Sequence, residues 1–154
     1  MESPKGQRRE SARASAPPIR GWEQVRGFRL AHLATTDAKG KPLVVPLCFA
    51  CSANCIYSVV DEKPKRLPAA RLRRLRNIQA NPQVCFLVDH YEEDWNQLAY
   101  ILVEGTAALL TGGAEHSAAI GLLREKYPQY RAMALEDKPV IKISPQRVTL
   151  WQAR

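Results

Sequence analysis

The segment from Asp61 to Pro82 carries the residues whose types and spacing best suit binding chemistry. It reads DEKPKRLPAARLRRLRNIQANP and holds seven cations between Lys63 and Arg76 with no acid among them. Apolar runs that are typical of buried strands precede and follow it. A guanidinium offers parallel donors that match a phosphate or a carboxylate. The composition therefore predicts an anion-binding segment, with a solvated basic surface as the alternative.

A short helix is expected towards the end of this segment, because apolar residues recur there at helical spacing. Leu72, Leu75 and Ile78 form the apolar face, and the neighbouring arginines fall on other faces. The lysines of the segment precede this helix in a turn punctuated by proline. The cations that could close on a phosphate from two sides are Lys63, Lys65, Arg71, Arg73 and Arg74.

Histidine chemistry finds little support in the sequence. His32 lies in an apolar strand, where a core position is expected, and His116 begins a helix, where it would cap the helix or face water. His90 stands in the acidic, aromatic stretch DHYEEDW, which suits a surface loop or a dimer contact. No G-x-S-x-G elbow, Walker loop or G-x-G-x-x-G motif is present. No catalytic residue is predicted.

Four cysteines raise the question of a metal site. Cys48, Cys51 and Cys55 form a C-x2-C-x3-C pattern, but the second close pair or the histidines of a structural zinc site are missing. Cys48 and Cys85 stand inside apolar runs, so we expect both to be small buried hydrophobic residues. No metal site and no disulfide is predicted.

Charge and composition predict one folded domain with a basic tail. The chain has a net charge of +8, and residues 1–20 contribute five cations and two acids to it. Residues 1–18 are polar and lack apolar periodicity, which predicts a disordered basic tail, and residues 19–154 are expected to form one domain. No apolar run approaches the roughly 18 residues of a membrane span, and no secretory signal is recognisable. A cytoplasmic protein is expected.

Such a charge suits nucleic acid, phosphate or polycarboxylate partners. Nucleic acid is disfavoured, because residues 62–83 contain no aromatic side chain that could stack on a base and no nucleic-acid-binding motif is present.

The pattern of apolar residues predicts a mainly β, α+β domain. Strands are expected at 30–36, 42–50, 56–60, 84–91 and 98–110, with a last strand pair in 140–152 that is interrupted at Ser144-Pro145. Gly105 is expected to mark a bend or bulge. Helices are expected at 21–29 and 115–127. About six strands with short helices between them indicate a small antiparallel β-barrel.

Several stretches together resemble a known family. In order they are LATTDAKGKPLVVPLCFA, IYSVVDEKPK, RLRNIQANPQVCFLVDHYEEDW and ILVEGTAALL. They are similar to the split β-barrel, FMN-binding type of fold of the pyridoxamine 5′-phosphate oxidase-like proteins. Within that superfamily, DEKPK and DHYEEDW resemble the subgroup of probable coenzyme F420-dependent (deazaflavin) oxidoreductases. The resemblance covers about residues 22–152.

The resemblance implies a six-stranded split barrel that works as a homodimer with two cofactor sites at the subunit interface. It implies that the cofactor phosphate is held by Lys63, Lys65, Arg71 and Arg74, with Arg76 and Asn77 adjoining them. The ring of the cofactor would lie against Val45, Pro46, Leu47, Val59, Val60 and Asp61. Trp95 and Trp151 would line the pocket, from the other subunit.

By the same resemblance, the chemistry resides in the cofactor. F420 would exchange a hydride with a small organic substrate while the protein orients and shields the ring. The phosphate and the γ-glutamyl tail of F420 also suit a basic chain. An FMN-binding flavoprotein of the same fold and a non-enzymatic protein that binds a cofactor or a tetrapyrrole remain the alternatives.

Overall fold

The computed structural model describes residues 21–61 and 72–153. These residues contain seven strands and three α-helices. The helices are α1 (Trp22–Gly27), α2 (Arg73–Ala80) and α3 (Ala114–Lys126). The strands are β1 (Ala31–Thr36), β2 (Pro42–Leu47), β3 (Ala50–Cys51), β4 (Ile56–Val59), β5 (Gln83–His90), β6 (Ala99–Leu110) and β7 (Val140–Gln152). Short 3-10 helices span Trp95–Gln97 and Pro128–Ala132. The predicted tail, 1–18, lies outside the described residues.

All seven strands belong to one antiparallel sheet in the order β2-β1-β5-β6-β7-β4-β3. β2 and β3 therefore lie at opposite edges, although only Cys48 and Phe49 separate them along the chain. The sheet must curl on itself to bring those edges together, which gives a half-barrel. The predicted mainly β barrel is confirmed in this form, but the count of six strands is wrong. The single strand expected at 42–50 divides where the chain passes from one edge to the other.

A bulge joins the two longest strands. The pairing of β6 with β7 shifts register between Glu104 and Gly105, so that Gly105 faces Pro145. A Cβ on Gly105 would collide with the carbonyl oxygen of Ser144 and would lie 3.1 Å from the Cα of Pro145. The bend expected at Gly105 is confirmed. The interruption expected at Ser144-Pro145 is wrong, because the bulge accommodates the proline and β7 continues through it.

Alternation along the strands divides core from surface. In β5, Val84, Phe86 and Val88 point into the core, where the Phe86 ring packs edge-on against Phe49 with centroids 4.9 Å apart. Cys85 lies between them and is exposed, so the prediction of a buried Cys85 is wrong. His32 is likewise half-buried on the outward side of β1 rather than in the core. Cys48 is half-buried rather than buried.

Helix α2 forms as the leucine spacing predicts, with Leu75 and Ile78 buried against the sheet. Asn77 is also buried, and its side-chain amide donates a hydrogen bond to Oγ1 of Thr35 at 3.0 Å. These contacts fix α2 against β1. The orientation of its other side chains follows from that anchor.

A second apolar cluster surrounds α3 and holds the junction of β2 with β3. The hydroxyl of Tyr127 accepts a hydrogen bond from the backbone N–H of Phe49 at 3.1 Å and donates to the carbonyl oxygen of Arg29 at 2.8 Å. His116 is buried, with its Nε2 2.7 Å from the carbonyl oxygen of Lys138, so the expectation that it would cap the helix or face water is wrong.

Within the described residues, no helix has the length and apolarity to cross a membrane.

Candidate functional site

A cavity of about 130 Å³ opens between the end of β2, strand β4 and helix α2. Strand β2 supplies two of the lining side chains and β4 two more, while α2 and the 3-10 helix after α3 supply one each. The lining residues are Pro46, Leu47, Cys48, Ser58, Val59, Asp61, Arg74 and Tyr130. The cavity thus combines an apolar wall with a carboxylate, a phenol and a guanidinium.

Asp61 and Tyr130 form a buried pair in this cavity. The Tyr130 hydroxyl donates a hydrogen bond to Oδ2 of Asp61 at 2.9 Å, and both residues are buried. Burial raises the pKa of Tyr130, and the negative charge of Asp61 raises it further. The phenol therefore stays protonated at neutral pH and acts as a fixed donor. It holds the carboxylate of Asp61 in one orientation.

Arg74 brings a positive charge to the same cavity. It lies in the first turn of α2 and is half-buried. Burial lowers the pKa of its guanidinium, while the nearby charge of Asp61 acts in the opposite direction. Because an arginine stays protonated in proteins, the site keeps a partly desolvated cation. Such a cation, at the positive end of a helix, favours a negatively charged group beside it.

The apolar part of the lining is small. Leu47 and Val59 are buried, whereas Pro46 is exposed at the end of β2. Pockets that enclose a whole cofactor usually measure about 300–1,000 Å³. At about 130 Å³, the part of the site that the structure describes has room for an anionic group and the edge of a ring.

The family of the protein follows from a comparison of its sequence. A model of the pyridoxamine 5′-phosphate oxidase family matches residues 22–152 of the 154. The chain belongs to the pyridoxamine 5′-phosphate oxidase family. The family resemblance seen in the sequence motifs is thereby confirmed. No curated protein matches the sequence.

Solved structures share the fold of this member of the pyridoxamine 5′-phosphate oxidase family. A conserved hypothetical protein from Mycobacterium tuberculosis superposes with a TM-score of 0.71 at 18% identity, covering 97% of this chain and 91% of the other. For HutZ, the heme storage protein from Vibrio cholerae, the TM-score is 0.63 at 19% identity, with coverages of 85% and 91%. An FAD-binding protein from Mesorhizobium loti gives 0.61 at 21% identity, with 84% and 87%.

The donor set of this oxidase-family chain fits an anionic flavin-type cofactor. Arg74 supplies the charge that a phosphate requires, and the buried Leu47 and Val59 supply an apolar wall against which a ring can lie. A metal is a poorer fit. In the described parts of the chain, no three His, Cys, Asp or Glu side chains are grouped closely enough to hold a metal ion.

The structure brings together five of the residues predicted for the cofactor site, and they are Pro46, Leu47, Val59, Asp61 and Arg74. Val45 is half-buried against the core, and Val60 is buried with its N–H donating to the carbonyl oxygen of Pro139 at 3.0 Å. Neither lines the cavity. That these residues contact a cofactor stays a prediction.

The other predicted residues that the structure describes lie away from the cavity. Arg76 is exposed on α2, and the amide of Asn77 is engaged with Thr35. Trp151 stacks on Tyr100 with ring centroids 5.5 Å apart, and Trp95 is 70% exposed. Within a single chain, none of these four predicted residues lines the cavity. Lys63, Lys65 and Arg71 lie outside the described residues.

Three lining residues were not predicted. Tyr130 comes from the 3-10 helix after α3, and its bond to Asp61 spans 69 residues of sequence, so no local pattern indicates it. Ser58 did leave a signal, because it is a small polar residue in the otherwise apolar strand β4. Cys48 was expected to be a small buried hydrophobic residue and was not among the residues predicted for the site.

Proposed function

We propose that this protein is an oxidoreductase that transfers a hydride between coenzyme F420 and a small organic molecule. The observation that carries the proposal is Arg74, a guanidinium held half-buried beside Asp61 and Tyr130 at an apolar wall. Removing an arginine from water is costly unless its charge is compensated. The neighbouring carboxylate of Asp61 already accepts a hydrogen bond from Tyr130. Arg74 therefore keeps N–H donors for an anionic ligand.

A deazaflavin suits this site and this chain. Its phosphate would bind Arg74, and its glutamyl carboxylates would bind other cations of the chain, whose net charge is +8. When bound, the deazaflavin supplies the hydride chemistry itself. The chain's own part is to hold the phosphate through Arg74, to cover the edge of the ring with Leu47 and Val59, and to fix Asp61 through Tyr130. No acid–base pair is needed for this.

Two alternatives remain within the family. FMN would use the same cation for its phosphate, and an FAD-binding neighbour supports a flavin of the ordinary kind. A heme-binding carrier without enzymatic activity is supported by HutZ. Both alternatives require the same purified protein to be tested with other ligands.

Titration distinguishes the three ligands. The protein is titrated with F420, FMN and heme while ring fluorescence, absorbance and thermal stability are followed. We expect saturable binding of F420 with a dissociation constant below about 100 μM, which corresponds to about 5.5 kcal/mol. Oxidation of reduced F420 with a panel of enones and quinones should then show turnover. Copurified yellow FMN or a heme absorption band without F420 binding would refute the proposal, and binding without turnover would indicate a carrier.

We also propose that the chain is a homodimer. Tyr91, Trp95, Tyr100, Leu150 and Trp151 are all exposed, and the last two lie near the end of β7. Exposed apolar side chains in such number are typical of an interface. Sedimentation equilibrium at micromolar concentration should give twice the chain mass of 17.3 kDa, and Trp151→Ser should lower it. A monomer in the wild type would contradict the proposal.

A further inference from the structure

A second, larger cavity of about 410 Å³ lies between the C-terminal side of α1, strand β3 and the last turns of α3. Its lining residues are Arg26, Arg29, Ala50, Cys51, Leu122, Glu125 and Lys126. It shares none of them with the Arg74 cavity. Its volume is within the range of about 300–1,000 Å³ that is usual for small-molecule sites.

Lys126, the last residue of α3, has an amine without a hydrogen-bond acceptor. Its Nζ is buried and has no partner in the described part of the structure. The contacts of this nitrogen are with aromatic faces, 3.8 Å from the ring centroid of Phe49 and 5.5 Å from that of Tyr127. Cation–π contact compensates only part of the cost of removing an ammonium from water. The amine therefore favours any acceptor that enters the cavity.

Two arginines face the same cavity with donors to spare. Arg29 donates through Nη2 to the carbonyl oxygen of Lys126 at 2.8 Å and lies over the ring of Tyr127. Arg26 donates through Nη2 to the carbonyl oxygen of Ser52 at 2.8 Å, and its Nε is 3.6 Å from Glu23. A guanidinium has further N–H groups beyond those used here.

The charges of the cavity lining do not balance. Arg26, Arg29 and Lys126 give three positive charges, whereas the exposed Glu125 and Glu23, the partner of Arg26, give two negative charges, so one positive charge remains. We propose that this cavity binds a small polyanion bearing phosphate or carboxylate groups, with Lys126, Arg29 and Arg26 as its donors. The flexible stem of Lys126 lets the amine turn from Phe49 towards the ligand. This site is independent of the flavin-type site proposed above.

The surroundings of Lys126 make anion binding depend on pH. Burial lowers the pKa of Lys126 to about 8, and the positive charge of Arg29 lowers it further. Burial raises the pKa of Cys51 to about 11, so this thiol stays neutral. The remaining charged groups at the cavity are Glu125 and Arg26, the latter with Glu23 beside it. A bound anion restores the ammonium, so binding should take up a proton above pH 8 and weaken as the pH rises further.

The same shift has a consequence for stability in the absence of ligand. Between pH 8 and the ordinary lysine value of 10.5, the unfolded chain holds a proton that the folded chain has lost. The contribution of Lys126 to the free energy of unfolding should therefore rise with pH across that window. Lys126→Met removes this dependence and should raise the melting temperature at pH 7, which also verifies that the variant folds.

The test is a calorimetric titration with pyrophosphate and with citrate at low ionic strength. Wild type should bind at least one of them with a dissociation constant below about 1 mM, and Lys126→Met should weaken binding about tenfold or more. Arg26→Gln should also weaken it. Lys39→Met is the matched control, because Lys39 is an exposed lysine of the β1–β2 turn, and its affinity should equal that of the wild type. Tighter binding of pyrophosphate or of citrate identifies the phosphate or the carboxylate class.

Two results would overturn the inference. One is equal affinity in Lys126→Met and Lys39→Met. The other is that Arg74→Met loses pyrophosphate binding while Lys126→Met keeps it, which would move the anion to the first cavity. Titration in two buffers of different ionisation enthalpy at pH 8.5 should also show proton uptake in the wild type that is absent in Lys126→Met. Flavin affinity should be unchanged in Lys126→Met, so failure here and failure of the proposed function are distinguishable.

Discussion

Arg74→Met is expected to weaken F420 binding by about 1–3 kcal/mol, the range for losing a charge-assisted hydrogen bond at a partly buried site. The methionine keeps most of the length of the side chain, so packing between α2 and the cavity changes little. The lost interaction is the one between guanidinium and phosphate. Fluorescence titration of the purified variant measures it. Lys63→Ala, at a position before α2, is expected to have a loss in the same range.

Arg76→Met is the matched control for this experiment. It removes the same charge from the same helix, but Arg76 is exposed and does not line the cavity. A loss confined to Arg74→Met would place the phosphate at the cavity, whereas an equal loss in both variants would indicate a general effect of charge. Unchanged affinity in both Arg74→Met and Lys63→Ala would move the phosphate site to another part of the protein.

Gly105→Ala is expected to lower the free energy of unfolding by about 3 kcal/mol, at the upper end of the range for overpacking. The new Cβ would meet the carbonyl oxygen of Ser144 and, at 3.0 Å, the carbonyl carbon of the same residue. Both are backbone atoms of β7, so no side chain can turn away to relieve the contact. Urea unfolding of wild type and variant measures the difference.

Gly121→Ala, which is also a glycine-to-alanine change, is expected to raise the free energy of unfolding. Gly121 is exposed in α3, and a methyl group added there would have no neighbouring atom within 4 Å. Alanine favours a helix over glycine by about 0.5–1 kcal/mol, so this variant should be more stable than the wild type. If Gly105→Ala were as stable as Gly121→Ala, the bulge would have to open at little cost, and the close approach of β6 and β7 would not be a requirement of the fold.

Local periodicity was sufficient to predict much of the fold. The spacing of Leu72, Leu75 and Ile78 predicted α2 because one turn of helix brings those side chains to a single face. The exposure of Cys85 was not predicted, because the period-2 alternation of strand β5 was not applied to it. The apolar run around it was interpreted as continuously buried, although Val84 and Phe86 alternate with it across the pleat. Alternation within β5 would have predicted the exposed thiol.

Contacts between distant parts of the chain could not be predicted in this way. The count of strands depended on how the sheet closes at Cys48 and Phe49, and that closure is held by Tyr127 from far along the sequence. The candidate site was predicted in its strand and α2 residues but not in Tyr130. A phenol that orients a carboxylate across 69 residues leaves no periodic signal.

The position of β7 in the sheet has a consequence for how this protein is made. Of the described strands, β7 is the last in chain order and therefore the last to be synthesised, yet it lies between β6 and β4 in the sheet. Among the described strands, the hairpin of β3 and β4 joins the rest of the sheet only through β7. Until β7 has been synthesised, Ile56–Val59 and the edge of β6 lack their partner, and unpaired apolar edges of this kind are prone to aggregation. Because Ser58 and Val59 line the Arg74 cavity, a cofactor can find that site complete only after β7 has been added to the sheet.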